Sequence, residues 1–424
     1  MTEIECVKEI KEIIERRMND NENNIINVHV LRSYKAARLN CDGVGNIKTI
    51  TYNGVDRTFC SSAAIKNGQK EYIKKLYKGL DIGRDTRRIG ELILAEYLRD
   101  YFKKETGVEL SDDEEDRILL ILKNVFKDGN DKSDSKCNKK PKKSSSESIS
   151  ITTKESNKYS ANEIKCIADT FIEFFKTVDD FSNKKLQTNF KDEVILRIGK
   201  LHSCGHLLCL LGRMSTCFIK TINSSVSVAG AFSVIEEAYN SSYQSRRETV
   251  FGNKYDPYKN PGAANLFDID ISSPLLLEEY SIDIDQMIEN EMRYNGIETR
   301  EGAREIARLI IGIYMEAIYW SHPTGGRNSY YSESEPILMY VTFGQRRNTY
   351  DKDFRIPAKD PTDALNTFID SAIIRSNEGI KEEKKKLFLC PSYFDKKEEF
   401  GLTDENVSVT YKEKDIMDFV KENI

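Results

Sequence analysis

A chain of 424 residues, 39% of them hydrophobic, can bury a large core, and its length fits two or three domains or one domain with large insertions. Its formal charge of −5 excludes a generally basic nucleic-acid coat, although a local patch binds through its own field. No apolar run reaches the roughly 20 residues that span a bilayer, the charged first residues do not resemble a signal sequence, and nine cysteines at irregular intervals read as reduced core thiols. These features predict a soluble cytoplasmic protein without membrane contact.

Thr2 to Met18 reads as a helix with an apolar stripe of Ile4, Val7, Ile10, Ile13 and Ile14, followed by an Asn-rich linker. Ile26 to Arg32 alternates like a strand with one face towards a core. After the loop Leu39-Asn40-Cys41-Asp42-Gly43, the β-prone run Thr49 to Tyr52 ends at Asn53-Gly54, a dipeptide suited to a turn with positive φ. Ser61 or Ser62 then caps a helix running through Tyr72 and Tyr77, whose first N–H groups can hold a phosphate. Between Arg32 and Arg88 stand thirteen Lys or Arg against five Asp or Glu, an excess that points to a polyanion partner. Arg84, Arg87 and Arg88 are either phosphate contacts or surface salt bridges, and helical patterns continue to Phe102 and from Glu114 to Phe126.

From Lys127 to Lys158 the chain turns to Gly, Asn, Ser and Lys, with too few apolar groups to offset ordering, which predicts a flexible insertion. Ser160 and Glu163 form a capping box ahead of a core-facing helix, and a second long helix is predicted from about Phe190 to Leu211. Inside it, His202, His206 and Cys209 share one helical face, but Cys204 points elsewhere and no HExxH pattern exists, so packing outweighs zinc. Arg213 beside Met214 pairs a cation with an apolar wedge, two features that single-strand binding uses. From Glu236 to Ser273 tyrosines alternate with Arg246, Arg247, Lys254 and Lys259, which suits either RNA or a neighbouring protein. A strand at Glu279 to Asp285, a helix capped by Thr299 and a strand at Ile337 to Phe343 follow. The loop at Gly325-Gly326 lacks the GxxxxGK[ST] order of a P-loop, and its Arg327 and Asn328 are candidate RNA contacts. Towards the C-terminus, Asp363 to Ile374 reads as helix, Lys381 to Lys386 as solvent-facing, and Asp415 to Val420 as a short helix.

The order strand, Leu39-Asn40-x-Asp42, Asn53-Gly54-x-x-Arg57, Ser61-Ser62, Ile65-Lys66, Gly212-Arg213-Met214, Gly262-Ala263-Ala264 and Pro323-Thr324-Gly325-Gly326-Arg327-Asn328 resembles the backbone subunit of the type I CRISPR surveillance complex, Cascade, in its type I-E branch, the CasC family. The resemblance implies an α+β fold: an RNA-recognition-motif-like (ferredoxin-like) palm, a helical finger domain and a long thumb loop. On this chain the palm would take 25–104, 212–235 and 274–355, the finger 105–211, the thumb 236–273, and the ends 1–24 and 356–424 would flank them. It further implies a non-catalytic subunit without metal or cofactor. Its partners would be guide crRNA, target DNA, further copies of itself in a helical filament, other Cascade subunits and a recruited helicase-nuclease. The RNA-binding set becomes Arg32, Asn40, Arg57, Ser61, Ser62, Lys66, Lys70, Arg213, Met214, Arg327 and Asn328, and Arg246, Arg247, Tyr255, Tyr258 and Lys259 become thumb or inter-subunit contacts. Cys41, Gly43, Asp56, Ala63 and Asn67 depart from the family's usual residues. The alternative is a metal-dependent ribonuclease of a related RNA-targeting complex using Asp42, which no second carboxylate in the motif supports. Deleting the insertion should leave folding intact, and a lost cooperative melting transition would contradict this.

Overall fold

The computed structural model describes residues 24–126, 156–215, 217–237, 239–247, 263–330, 332–377, 384–402 and 407–424. The predicted helix at Thr2–Met18, most of the insertion, and Tyr255, Tyr258 and Lys259 lie outside these residues. The chain is α+β and forms two compact units, one from Met1–Leu76, Ser227–Ile284 and Gly312–Ile424, the other from Tyr77–Val226 and Asp285–Ile311. The helices before the insertion therefore belong with the second unit from Tyr77 onward, and residues after 355 fold with the first. Among the described residues no helix is long and apolar enough to cross a membrane.

The first unit is built on a nine-stranded sheet. Its main path uses β1 (Ile25–Ser33), β2 (Thr49–Tyr52), β3 (Val55–Cys60), β4 (Ala231–Ser233), β5 (Leu275–Asp283), β6 (Pro336–Gly344), β7 (Lys384–Leu389) and β8 (Ser408–Thr410), in the order β8-β7-β6-β1-β5-β4-β3-β2, and Val226–Val228 also pairs β5. Neighbours on this path are antiparallel except β7 and β8, which are parallel. Asn53 and Gly54 both adopt positive φ, 52° and 83°, and close the β2–β3 hairpin as their sequence predicts. Lys384 to Lys386, read as solvent-facing, keep Lys384 exposed and also pair with β6 through their backbone. The segment expected to be a long loop is an antiparallel ribbon of Asn240–Arg247 with Ala263–Ile271.

β1 lies between β5 and β6, with Ile25 opposite Asp283 on one side and Gly344 on the other. Ile26, Val28 and Val30 turn to one face and Asn27, His29 and Leu31 to the other, and all six are fully buried. The sequence predicts one covered face. The second is covered because the chain after β6 folds back over it: His29 meets the Tyr350 ring at 4.6 Å and pairs with Asn348 Oδ1 at 2.8 Å, while Leu31 joins a core with Phe354, Leu365 and Phe368. The last two belong to a helix at Pro361–Asn377.

On the first face, α1 (Ser62–Leu76) packs with the later turns of α2 (Arg300–Trp320), where Tyr314 Oη donates to Gln69 Oε1 at 2.7 Å and Tyr72 Oη to Glu316 Oε1 at 2.9 Å. Gly68 lets α1 approach the chain after α2, since a Cβ there would collide with the His322 carbonyl. Arg32 points into this layer. Its Nε donates to Glu278 Oε1 on β5 (3.1 Å), Nη1 to Tyr319 O (3.0 Å) and Ser334 O (2.6 Å), and Nη2 to Ile318 O (2.8 Å). Burial opposes its charge most strongly, but Glu278 together with Tyr34 and Tyr280 raises the pKa overall. The reading of Arg32 as an RNA contact is corrected, because the guanidinium is fully buried and its donors end on the fold's own acceptors.

The second unit is mostly helical. Its helices include Ile89–Ile93, Arg99–Thr106, Asp112–Val125, Ala161–Phe174 and Lys184–Lys200, around a core where Phe102, Phe171, Phe175, Phe181 and Phe190 meet with centroids 4.8–6.1 Å apart. The predicted helix from Phe190 to Leu211 is broken: it ends at Lys200, and a separate helix runs from His206 to Leu211. Asn157–Tyr159 forms a strand with Arg84–Thr86, so a deletion that spares the fold ends at residue 155.

Replacing Arg32 by Ala leaves the buried Glu278 charge with the Tyr280 hydroxyl but without its cation, and should cost ~3–5 kcal/mol in urea unfolding. A loss within the ~1 kcal/mol range of an exposed ion pair would contradict this assignment.

Candidate nucleic-acid interface

A cleft of about 550 Å³ in the first unit gathers several of the predicted stretches. Arg38 to Cys41 line one side, Ala64 and Asn67 of α1 another, Gly325 and Gly326 a third, and Gln244 and Ile269 of the ribbon also contribute. The loop and the helix start are tied to each other: Ser61 N–H donates to Asn40 Oδ1 at 3.0 Å, and Ser61 Oγ caps α1 by accepting from Ala64 N–H at 3.4 Å. Ser61, not Ser62, is the cap. Gly325 lets its loop lie against the other side, because a Cβ there would collide with the carbonyls of Leu39 and Arg38. Sequence reading missed Arg38, Gln244 and Ile269. The last two reach the cleft through strand alternation, which the loop assignment concealed.

From this cleft the cations continue along α1. Lys66, Lys70 and Lys74 are spaced four residues apart and so share a helical face. Lys66 is half-buried, and its pKa is lowered by burial and then by Lys70. Among the described residues Lys66 has no carboxylate partner, so an anion placed there would relieve both effects. Asn328 is exposed close to the glycine loop, whereas the side chains of Arg246, Arg247 and Arg327 lie outside the described groups.

Two further arginines leave the interface. Arg57 is 1% exposed, donates to Ser233 O (3.4 Å) and Arg355 O (3.1 Å), and sits over the Tyr52 and Phe232 rings at 5.5 and 5.7 Å, with its pKa lowered by burial. Arg213 is buried in the second unit, where Nη1 and Nη2 bind both oxygens of Glu163 at 2.6 and 2.8 Å and further donors reach Lys158 O and Lys220 O. Glu163 also closes the capping box with Ser160, so one carboxylate serves both a helix start and an internal cation. Met214, the other half of that motif, is 78% exposed and lines a separate cleft of about 500 Å³ in the second unit. Of the remaining basic residues, Arg84 pairs with Glu96 and Arg88 with Glu91.

Asp42 shapes its own turn, its Oδ1 accepting from the Val44 and Asn46 amides at 3.0 and 2.9 Å. The histidine-cysteine stretch is divided by the helix break, so His202 no longer shares a helical face with His206 and Cys209. Asn295 holds the break by accepting from the Cys204 and Gly205 N–H groups at 2.8 and 3.2 Å. Burial pushes the Cys204 thiol up to about 11 and raises that of Cys209. Among the described residues no three His, Cys, Asp or Glu side chains come together as a metal site. His206 Nδ1 instead lies 2.9 Å from Oε2 of the fully buried Glu291, to which Asn295 Nδ2 also donates at 2.8 Å.

Comparison with known proteins places the chain among the CRISPR-associated proteins. The family model described as CT1975-like protein matches residues 26–372, and the chain belongs to this family. A solved chain titled as a CRISPR RNA-guided surveillance complex, pre-nicking, superposes with a TM-score of 0.68 at 16% identity, covering 94% of this chain and 100% of that one. A second, titled as a CRISPR RNA-guided surveillance complex, gives a TM-score of 0.53 at 12% identity, covering 94% and 98%. No curated protein matches in sequence. At these identities the two structures show a shared fold.

The His206–Glu291 hydrogen bond, working against burial, raises the imidazole pKa above its ordinary 6.5. A raised pKa gives stability that is present below the ordinary value and is lost as pH rises through the folded one. Melting temperature should therefore fall between about pH 6 and about pH 8 by more in the natural protein than in a His206→Ala variant. Equal slopes for the two would show that the pair does not govern this titration.

Proposed function

We propose that this protein is a non-catalytic guide-RNA-binding backbone subunit of a CRISPR surveillance complex, of the Cascade type. The observation that carries the reading is the convergence of the Asn40 loop, the Ser61-capped start of α1 and the Gly325-Gly326 loop on one cleft, with the lysines of α1 leading from it. A capped helix start and lysines on one helical face favour phosphate, and this part of the chain can hold a strand without reading its sequence. The strand order supports an RNA-recognition-motif-like palm. Reading β1, α1, β4, β5, α2 and β6 in chain order gives βαββαβ, and the four strands lie side by side as β6-β1-β5-β4, the split arrangement of ferredoxin-like sheets. On this reading the second unit is the finger, excursing between α1 and β4, and the ribbon Asn240–Ile271 belongs to the thumb, excursing between β4 and β5. The solved structures that share the fold are titled as RNA-guided surveillance complexes, which supports crRNA and other complex subunits as partners.

A scaffold that follows a linear guide needs head-to-tail contacts between copies, since a two-fold interface closes after two. The type I-E branch, target DNA and a recruited helicase-nuclease belong to the same proposal. Asp42 has the geometry of a turn former, and no observation favours its use in cleavage.

A Lys66→Ala, Lys70→Ala double variant tests the reading. Single-stranded RNA of any sequence should bind the natural protein with steep salt dependence, and the variant should show a slope shallower by about 1.4 in log affinity against log salt. An unchanged slope would remove α1 from the interface.

A further inference from the structure

The loop that leaves β6 and the end of α2 carry opposite charges at opposite ends of β1. Buried side chains of the sheet pin the loop: Asn27 Nδ2 donates to Arg346 O at 2.9 Å, Asn348 N–H to Asn27 Oδ1 at 3.3 Å, and Tyr350 N–H to Glu279 Oε1 at 2.6 Å. On this fixed backbone Arg346 and Arg347 are both exposed, and among the described residues neither guanidinium has a hydrogen bond or an ion pair. At the other end Trp320, the only tryptophan in the chain, closes α2 and is 37% exposed. Its Nε1 donates to Glu413 Oε1 at 2.7 Å and the buried Tyr319 ring meets it at 4.9 Å, so the indole is held in place while part of it faces solvent. Glu335 is exposed beside it and has no side-chain partner among the described residues. Burial raises the Glu413 pKa, and the Glu316 and Glu335 charges raise it further against the Trp320 hydrogen bond. A cation placed there would relieve that repulsion. A guanidinium suits the position best, since it stacks on an indole face and binds a carboxylate through two parallel hydrogen bonds.

The arginines and the indole of one copy do not meet. Asn27, which holds Arg346 O, and Arg32, which holds Tyr319 O, stand five residues apart on β1, about 17 Å at the rise of a strand. We propose that the Arg346-Arg347 loop of one copy docks on the Trp320, Glu335 and Glu413 surface of the next, with a guanidinium over the indole and against the carboxylates. A contact between unlike surfaces at opposite ends of one strand is heterologous and stays open at both ends, as a linear guide requires. The interface rests on the head-to-tail reading above, and it lies between the first units of neighbouring copies, separate from the lysines of α1.

Charge reversal tests it, read by native mass spectrometry of the full chain on a single-stranded RNA long enough for several copies. The natural protein should give a ladder of successive copies. An Arg346→Glu, Arg347→Glu variant, and separately a Glu335→Arg, Glu413→Arg variant, should load the first copy as before and later copies on the order of tenfold more weakly. Combining all four reversals should restore the ladder, which damage to the fold cannot do. Normal ladders from both two-residue variants would overturn the interface, as would a combined variant that melts cooperatively and still loads single copies. If the combined variant does not melt cooperatively, the emission of Trp320 decides. It should change as later copies load on the natural protein and stay unchanged in the Arg346→Glu, Arg347→Glu variant with its first copy bound, and the same change in both would overturn the interface. A natural protein that binds RNA only as single copies would overturn it and leave RNA binding standing, whereas one that binds no RNA would overturn both readings.

Discussion

The guanidinium of Arg32 joins several elements at one point. It leaves β1, binds the carboxylate of Glu278 on the adjacent strand, and takes the carbonyls of Ile318 and Tyr319 at the C-terminal end of α2 and of Ser334 just before β6. Carbonyls at a helix end have no partner inside the helix and carry partial negative charge, so a buried cation is well matched to them. The chain between Tyr319 and Ser334 is thereby held at both ends, and this is the chain that carries Gly325 to the cleft. A charge inside the fold sets the position of a loop on its surface.

The second unit repeats this economy with different residues. Arg213 and Glu163 bind through two parallel hydrogen bonds, and Glu163 also closes the capping box with Ser160. Arginine suits both sites because its planar fork distributes donors over several acceptors, which a lysine at either position would not do. Both arginines look like surface phosphate ligands in a one-dimensional reading, since each stands beside loop or strand-end residues in a basic or wedge-like context.

What could be read from the sequence follows from the range of the interactions involved. The Ser160–Glu163 box, the Asn53-Gly54 turn and the Thr299 start of α2 were legible because donor and acceptor lie within a few residues of each other. The break after Lys200 was not, since Asn295, far along the chain, supplies the acceptor for Cys204 and Gly205. Lys384 to Lys386 hid a strand because their charges suggested solvent while their backbone pairs with β6. The ribbon was hidden by its polar composition, although the alternation that sends Gln244 and Ile269 to the cleft was present in the sequence. Within the interface, the motifs that converge were identified, but the internal arginines could be separated from the surface ones only once their distant partners were located.

The position of β1 has a consequence for how the chain is made. Ile26 to Leu31 leaves a ribosome well before its two neighbours, Leu275–Asp283 and Pro336–Gly344, and the residues that cover its second face come later still. The helices from Ile89 to Lys200 pack on contacts nearer in sequence and can form while synthesis continues. Through that interval the apolar strand has open edges on both sides, the condition under which nascent chains pair wrongly or engage chaperones. The central strand of the sheet is thus the segment that waits longest for its partners, and the pace of synthesis through the ribbon and α2 sets how long it stays uncovered.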